Sequence, residues 1–241
     1  MSFPERDVYF FRQRALALSP TYDVMDEAGD PVLHVVRPVQ YGRTFLALGA
    51  WLLTLGYFAW LAWIAYDELR LAPFVLLPAG FVAAGVARLL VEPYRHVYLY
   101  ADASREVLHE AIVQERKLVI ITAPYTLVDG EGAVVATFSK NYLWNLIRRR
   151  WVVLGPDGAP LCLAWEDHIL KAIARRIVGP LYGLLRTNFV ITRDGARLGE
   201  FNRQLTIFDR YVLDLRRDLD RTLDRRIAVA LGILLDTGEG R

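Results

Sequence analysis

One cysteine, three lysines, four histidines and four serines are all that 241 residues contain of these types. The single Cys162 excludes an internal disulfide framework and suits a reducing compartment. It lies in an apolar stretch, where a buried inert thiol is expected rather than a nucleophile. His34, His96, His109 and His168 stand apart, without the spacing of a zinc or iron site. No serine sits in a nucleophile elbow, and no glycine-rich loop ends in a phosphate-binding lysine. Neither an enzyme nor a bound cofactor is expected. Net charge is small too: 29 basic residues against 27 acidic leave +2. No strongly basic face for nucleic acid is therefore announced. Arginine supplies 26 of those basic residues, a bias that points to a GC-rich, bacterial genome.

What the chain has in excess is apolar surface. Hydrophobic residues make up 54% of it, above the usual range for soluble domains. The excess is local, because 36 of the 48 residues from 44 to 91 are hydrophobic. From Thr44 to Tyr66 no charge occurs. As a helix this stretch would span about 34 Å, enough to cross a hydrocarbon core with some tilt. Asp67, Glu68 and Arg70 interrupt it, and a second apolar stretch runs from 71 to 91. Pro73 fits the first turn of that helix, whereas Pro78 is expected to kink it. Trp60, Trp63 and Tyr66 gather at one end as interfacial aromatics do. Ala79, Ala83 and Ala87 offer a small-residue stripe for close helix packing. A transmembrane hairpin over 43–92, with helices at 44–66 and 71–91, is the reading; a buried helical hairpin would need more surrounding protein than the chain supplies. No apolar region near Met1 resembles a secretory signal. Arg37, Arg43, Arg88 and Arg95 flank the hairpin on the side of the termini, which the positive-inside bias makes cytoplasmic.

Outside the insert one pattern recurs five times: an aromatic residue, alternating residues, a tight turn, then an aliphatic or β-branched strand. The aromatics are Tyr22, Tyr98, Tyr125, Trp151 and Phe189. The turns centre on Glu27 to Gly29, Asp102 to Ser104, Asp129 to Gly132, Pro156 to Gly158 and Asp194-Gly195. Asp-Gly between such runs is a strong hairpin signal. Tyr22, Tyr125 and Trp151 each precede a turn glycine by seven residues. Five hairpins with Val8–Arg12 before and Tyr211–Leu215 after give twelve strands. A sheet of that size is expected to close into an antiparallel barrel, since closure removes its edges. The run from Ile227 to Leu235 is apolar on every face and too short to span a bilayer. A C-terminal helix over 218–236, threaded through the barrel as its core, is expected; a helix packed outside the sheet is the alternative. The domain reading is thus 1–42 with 93–241 as one barrel, mainly β, and 43–92 as the inserted α-hairpin.

The C-terminal region carries a family likeness. Phe189-Val190-Ile191-Thr192-Arg193-Asp194-Gly195, then Leu198-Gly199-Glu200, then Phe208 to Leu215, Asp218-Leu219-Asp220 and the helix from Leu223 to Leu235 resemble the phospholipid scramblase and LURP-one-related families. That resemblance implies the tubby-like fold, a twelve-stranded closed barrel around a hydrophobic C-terminal helix. It also implies a lipid-linked function, with membrane phospholipids as partners. The cysteine cluster and proline-rich arm of animal scramblases are absent here, and the hairpin stands in for them as an anchor. The family's calcium segment matches Asp209, Asp218 and Asp220 by position. Arg210, Arg216 and Arg217 crowd the same stretch, and the alternating oxygen ligands of a calcium loop are lacking, so no metal is expected.

Basic residues cluster at Arg148, Arg149 and Arg150, and again at Lys171, Arg175 and Arg176 on a stretch from His168 to Leu185 with helical periodicity. These six are the candidate headgroup-binding residues. The same amphipathic stretch would equally serve to plug one barrel mouth. The expected function is a membrane-anchored, scramblase-like barrel that binds lipid headgroups or contributes to phospholipid distribution. The alternative is a non-catalytic, membrane-tethered module that holds a protein partner. A barrel mouth that takes a small apolar ligand is a third option.

Overall fold

The computed structural model describes residues 3–13, 21–116, 122–141, 149–166, 188–204 and 210–237. Twelve strands form one closed antiparallel barrel: β1 (Val8–Gln13), β2 (Thr21–Met25), β3 (Pro31–Val36), β4 (Val97–Tyr100), β5 (Leu108–Gln114), β6 (Thr122–Asp129), β7 (Val134–Asn141), β8 (Arg150–Leu154), β9 (Pro160–Glu166), β10 (Asn188–Arg193), β11 (Ala196–Gln204) and β12 (Arg210–Asp214). Each strand pairs with its chain neighbours, and β1 closes the ring on β12 with Phe10 opposite Val212. Three helices complete the fold: α1 (Tyr41–Ala65), α2 (Ala72–Val91) and α3 (Arg225–Thr237).

The five sequence repeats are the five tight hairpins, β2–β3, β4–β5, β6–β7, β8–β9 and β10–β11. Each carries a register shift beside its turn, at Val24/Met25, Leu99/Tyr100, Leu127/Val128, Val153/Leu154 and Ile191/Thr192. Aspartates hold the turns: Asp26 Oδ1 accepts the Ala28 and Asp30 N–H groups, and Asp129 Oδ1 accepts those of Glu131 and Ala133. Gly29, Gly132, Gly158 and Gly195 supply the positive φ that closes four of the turns. In β4–β5 the same repeat position, seven residues after Tyr98, is Arg105, at φ 62°.

Alternation sends one face of every strand inward. Tyr9, Leu33, Leu99, Ile112, Leu127, Phe138, Val153, Ile191 and Leu213, from nine different strands, form one buried cluster with the helix residues Ile227 to Leu231 and Ile233 to Leu235. Helix α3 is therefore the barrel's core, buried on all sides. A Cβ on its Gly232 would come within 3.0 Å of the Phe11 ring and 3.1 Å of the Phe201 ring. The helix starts at Arg225 and not at 218, because residues 218–224 form a turn bonded through Asp218.

The hairpin is a second compact unit spanning Val39–Tyr94. Its helices have 25 and 20 residues, long enough and apolar enough to cross a membrane. Phe45, Leu53, Trp63 and Phe74 are each more than 70% exposed. Helix α2 continues through Pro78. The close-packing stripe is Gly80 with Ala84 and not Ala79, Ala83 and Ala87: Gly80 and Ala84 are the buried residues of α2, while Ala79 is exposed. Four-residue spacing fits either set. Gly80 wins because a Cβ there would run into that of Phe58.

Candidate functional site

Antiparallel topology sorts the barrel's connections to two ends. One end holds the five tight turns, the start of β1, the end of β12 and the N-terminus of α3. The other holds the long connections, among them Val36 to Val97 that carries α1 and α2, and the C-terminus of α3.

The long-connection end carries a group of cations, beside the acids Glu115 at the close of β5, Glu166 at the end of β9 and Asp236 of α3. Arg149 and Arg150 open β8, where Arg149 accepts the Glu166 N–H through its carbonyl and Arg150 lies opposite Trp165. Lys140, at the end of β7, sets its Nζ 5.4 Å over the Trp151 ring, a cation–π contact. Arg37 follows β3 and Arg95 precedes β4. Burial, and then the like charge of Arg95, lower the Arg37 pKa, against the raising influence of Tyr22, Tyr125 and Asp236. These neighbours come from β2, β6 and the last turn of α3, so Arg37 stands at the mouth itself. The carbonyl end of the α3 dipole favours cations at this position. Of the six candidate headgroup residues, the structure places Arg149 and Arg150 here; Arg148, Lys171, Arg175 and Arg176 lie outside the described residues, as does the stretch 168–185. Arg37, Arg95 and Lys140 join the set. The first two were legible only as flanks of the hairpin, and it is barrel closure that brings them to one mouth with Arg149.

The tight-turn end has the opposite character. Asp218, a calcium candidate by position, is fully engaged: Oδ1 accepts from the Thr222 N–H and hydroxyl, at 2.9 and 2.8 Å, and Oδ2 from Leu223 N–H and Arg225 Nη1, at 3.1 and 2.7 Å. Burial works against its charge, yet the bonds from Leu223, Arg225 and Thr222 hold its pKa below the ordinary carboxylate value. Arg225, only 3% exposed, also donates to Asp7 at 2.9 Å, and Arg221 bridges Glu5 and Asp7. Asp224 caps α3 through the Arg226 N–H and grips the Arg226 guanidinium. Asp220 is exposed, and Asp209 lies outside the described residues. Among the described residues no three His, Cys, Asp or Glu side chains converge as a metal site.

Between the β4–β5 and β6–β7 turns and the lead into α3 lies an open recess of about 750 Å³. Glu110 of β5 forms its floor. It shares the inward phase of Ile112, two residues on, yet carries a carboxyl where the core has aliphatics. Its Oε1 is 3.7 Å from Arg226 Nε, beyond a good hydrogen bond, and Oε2 has no partner among the described residues. Burial, moderated by Arg226, raises its pKa to about 7. An acid in the inward phase of an apolar strand is the sequence signal for this residue. Cys162 is buried in β9, where desolvation pushes its thiol up to about 12, the behaviour of an inert thiol.

No family model, curated protein or solved structure matches this chain.

Proposed function

We propose that this chain is a membrane-anchored barrel that binds anionic phospholipid headgroups at its basic mouth and contributes to phospholipid distribution, with the barrel on the cytoplasmic face. The observation that carries this reading is the hairpin's surface. In each of the two helices of spanning length only 11% of the apolar span is buried, and an unburied apolar surface of that extent is unsustainable in water. Supporting it, the cations Arg37, Arg95, Lys140, Arg149 and Arg150 belong to the barrel end from which the chain departs for α1 and returns from α2. A basic surface attached to a membrane segment meets the negative potential of a cytoplasmic leaflet, at about 1 kcal/mol per Lys or Arg near the surface. The likeness of the C-terminal strands and helix to scramblase-like barrels agrees with a lipid ligand. The tethered-module alternative has its own observation: α1 and α2 carry no charge between Arg43 and Arg88, so the hairpin itself holds no polar path for a headgroup.

The test uses full-length protein. Purified in mild detergent from mixed lipid, it should retain anionic phospholipid over phosphatidylcholine. The Arg37→Gln, Arg95→Gln, Arg149→Gln, Arg150→Gln variant should lose that preference. Equal retention of both lipid classes by the parent protein would overturn headgroup binding. A lipid-flip assay on the reconstituted protein then separates the readings: flipping supports lipid redistribution, and its absence together with a defined protein partner supports the tethered module.

A further inference from the structure

We infer that the recess at the tight-turn end is a binding site for a small soluble organic amine, whose ammonium group pairs with Glu110. This inference is independent of the headgroup site, which lies at the barrel's other end. The recess is built, with a floor, walls and a mouth. Glu110 is 1% exposed and still offers an oxygen with no hydrogen-bond partner among the described residues. Such a group carries a desolvation cost that a donor in the recess would remove. Phe3, Val107, Leu108 and Leu223 give the recess an apolar wall suited to methylene groups.

The charge pattern selects the ligand's sign. Each guanidinium that lines the recess already has its carboxylates: Arg225 has Asp218 and Asp7, Arg221 has Glu5 and Asp7, and Arg226 has Asp224. An anion in the recess would find every lining guanidinium already paired, whereas Glu110, with Asp129 and Glu131 on the adjoining turn, leaves the recess negative. A metal ion is disfavoured, because among the described residues no three ligating side chains converge. An ammonium requires less: one buried carboxylate in hydrogen-bond reach and a negative surround.

Glu110 is faced by Arg226 and Asp224 from α3 and its lead, and by Asp129 from the β6–β7 turn; Glu5 and His109 line the same recess. With its carboxyl titrating at about 7, an amine that stays protonated should bind about tenfold more tightly at pH 8 than at pH 6. Binding near neutrality should release a proton from Glu110.

The experiment is calorimetry with spermidine on the full-length protein in phosphatidylcholine nanodiscs. Saturable one-to-one binding is expected. Its enthalpy at pH 7 should depend on the ionisation enthalpy of the buffer, as proton release requires. Glu110→Gln should weaken binding at pH 8 at least tenfold and flatten the pH profile, whereas Glu131→Gln, on the rim, should cost only a few fold. The parent protein's buffer dependence reports on Glu110 even if the Gln variant folds poorly. No saturation at about 10 mM spermidine, or binding unchanged by Glu110→Gln, would overturn the site. Competition by nanodiscs containing phosphatidylethanolamine would overturn the soluble source and assign the ammonium to a lipid headgroup.

Discussion

At the scale of single residues, the tight-turn end holds two opposite solutions to burying charge. Asp218 and Arg225 are both buried, but every hydrogen-bonding direction of the carboxylate is used, and the pair is held on both sides. Glu110 is as deeply buried and has only a distant guanidinium. Its raised pKa is therefore a stability statement. In the fold it holds its proton up to about pH 7, whereas the ordinary value is 4.5. The native state thus binds the extra proton between these two values, and stability falls as pH rises through that window. Above pH 7 the full penalty stands, at most about 3 kcal/mol for a shift of this size. Glu110→Gln, which removes the ionisation, should leave stability near pH 4.5 little changed. It should raise the unfolding temperature progressively toward pH 8. Thermal melts of both proteins across pH 4.5–8 check this. Parallel curves would show that Glu110 is neutralised by a partner at all pH values.

At the scale of elements, the barrel was readable because its rules are local. Each hairpin is specified within about fifteen residues by an aromatic, an aspartate at the turn and a positive-φ position. The single turn that breaks the pattern is instructive. Arg105 occupies the left-handed position that four turns fill with glycine, at a cost of about 1–2 kcal/mol for a side chain there. Glycine also gains freedom in the unfolded chain, so Arg105→Gly should stabilise by about 0.5–1 kcal/mol. A melting temperature lowered by this change would show that the Arg105 side chain makes a compensating contact. Helix α3 was equally legible, since nine successive apolar residues have nowhere to go but inside. Ala230 is fully buried at its centre, and Ala230→Asp would place an unpaired carboxylate there, costing more than the whole stability of a typical domain can absorb. Loss of the native circular dichroism is the expected result. What escaped the sequence was long-range. The start of α3 was placed too early because the Asp218 turn depends on Arg225, which in turn meets Asp7 at a separation of 218 residues. The packing stripe of α2 was misplaced by one residue because a four-residue repeat does not say which row faces the partner. Gly80 shows its role only when Phe58 is against it.

For the molecule as a whole, the main consequence concerns the insert. Strands β3 and β4 are direct neighbours, with Val36 opposite Tyr98, so the strand ends that flank the insert lie about 5 Å apart. Ring closure therefore needs only a short connection at this position, and a 56-residue excursion is topologically equivalent to a tight loop. Replacing residues 39–94 by a short Gly-Ser linker should give a soluble barrel with native β content and cooperative unfolding. That barrel separates the electrostatic attraction to lipid proposed for the basic mouth from the anchoring proposed for the hairpin. Because Arg37, Arg95, Arg149 and Arg150 remain, it should co-sediment with phosphatidylserine vesicles at low salt and be released as ionic strength rises, since screening shortens to about 3 Å at 1 M. Phosphatidylcholine vesicles should not bind it at any salt concentration. A folded barrel indifferent to lipid charge would assign membrane attachment to the hairpin alone and leave the basic mouth to a protein partner. An insoluble product would mean that barrel stability draws on the hairpin, against the nearest-neighbour pairing of β3 and β4.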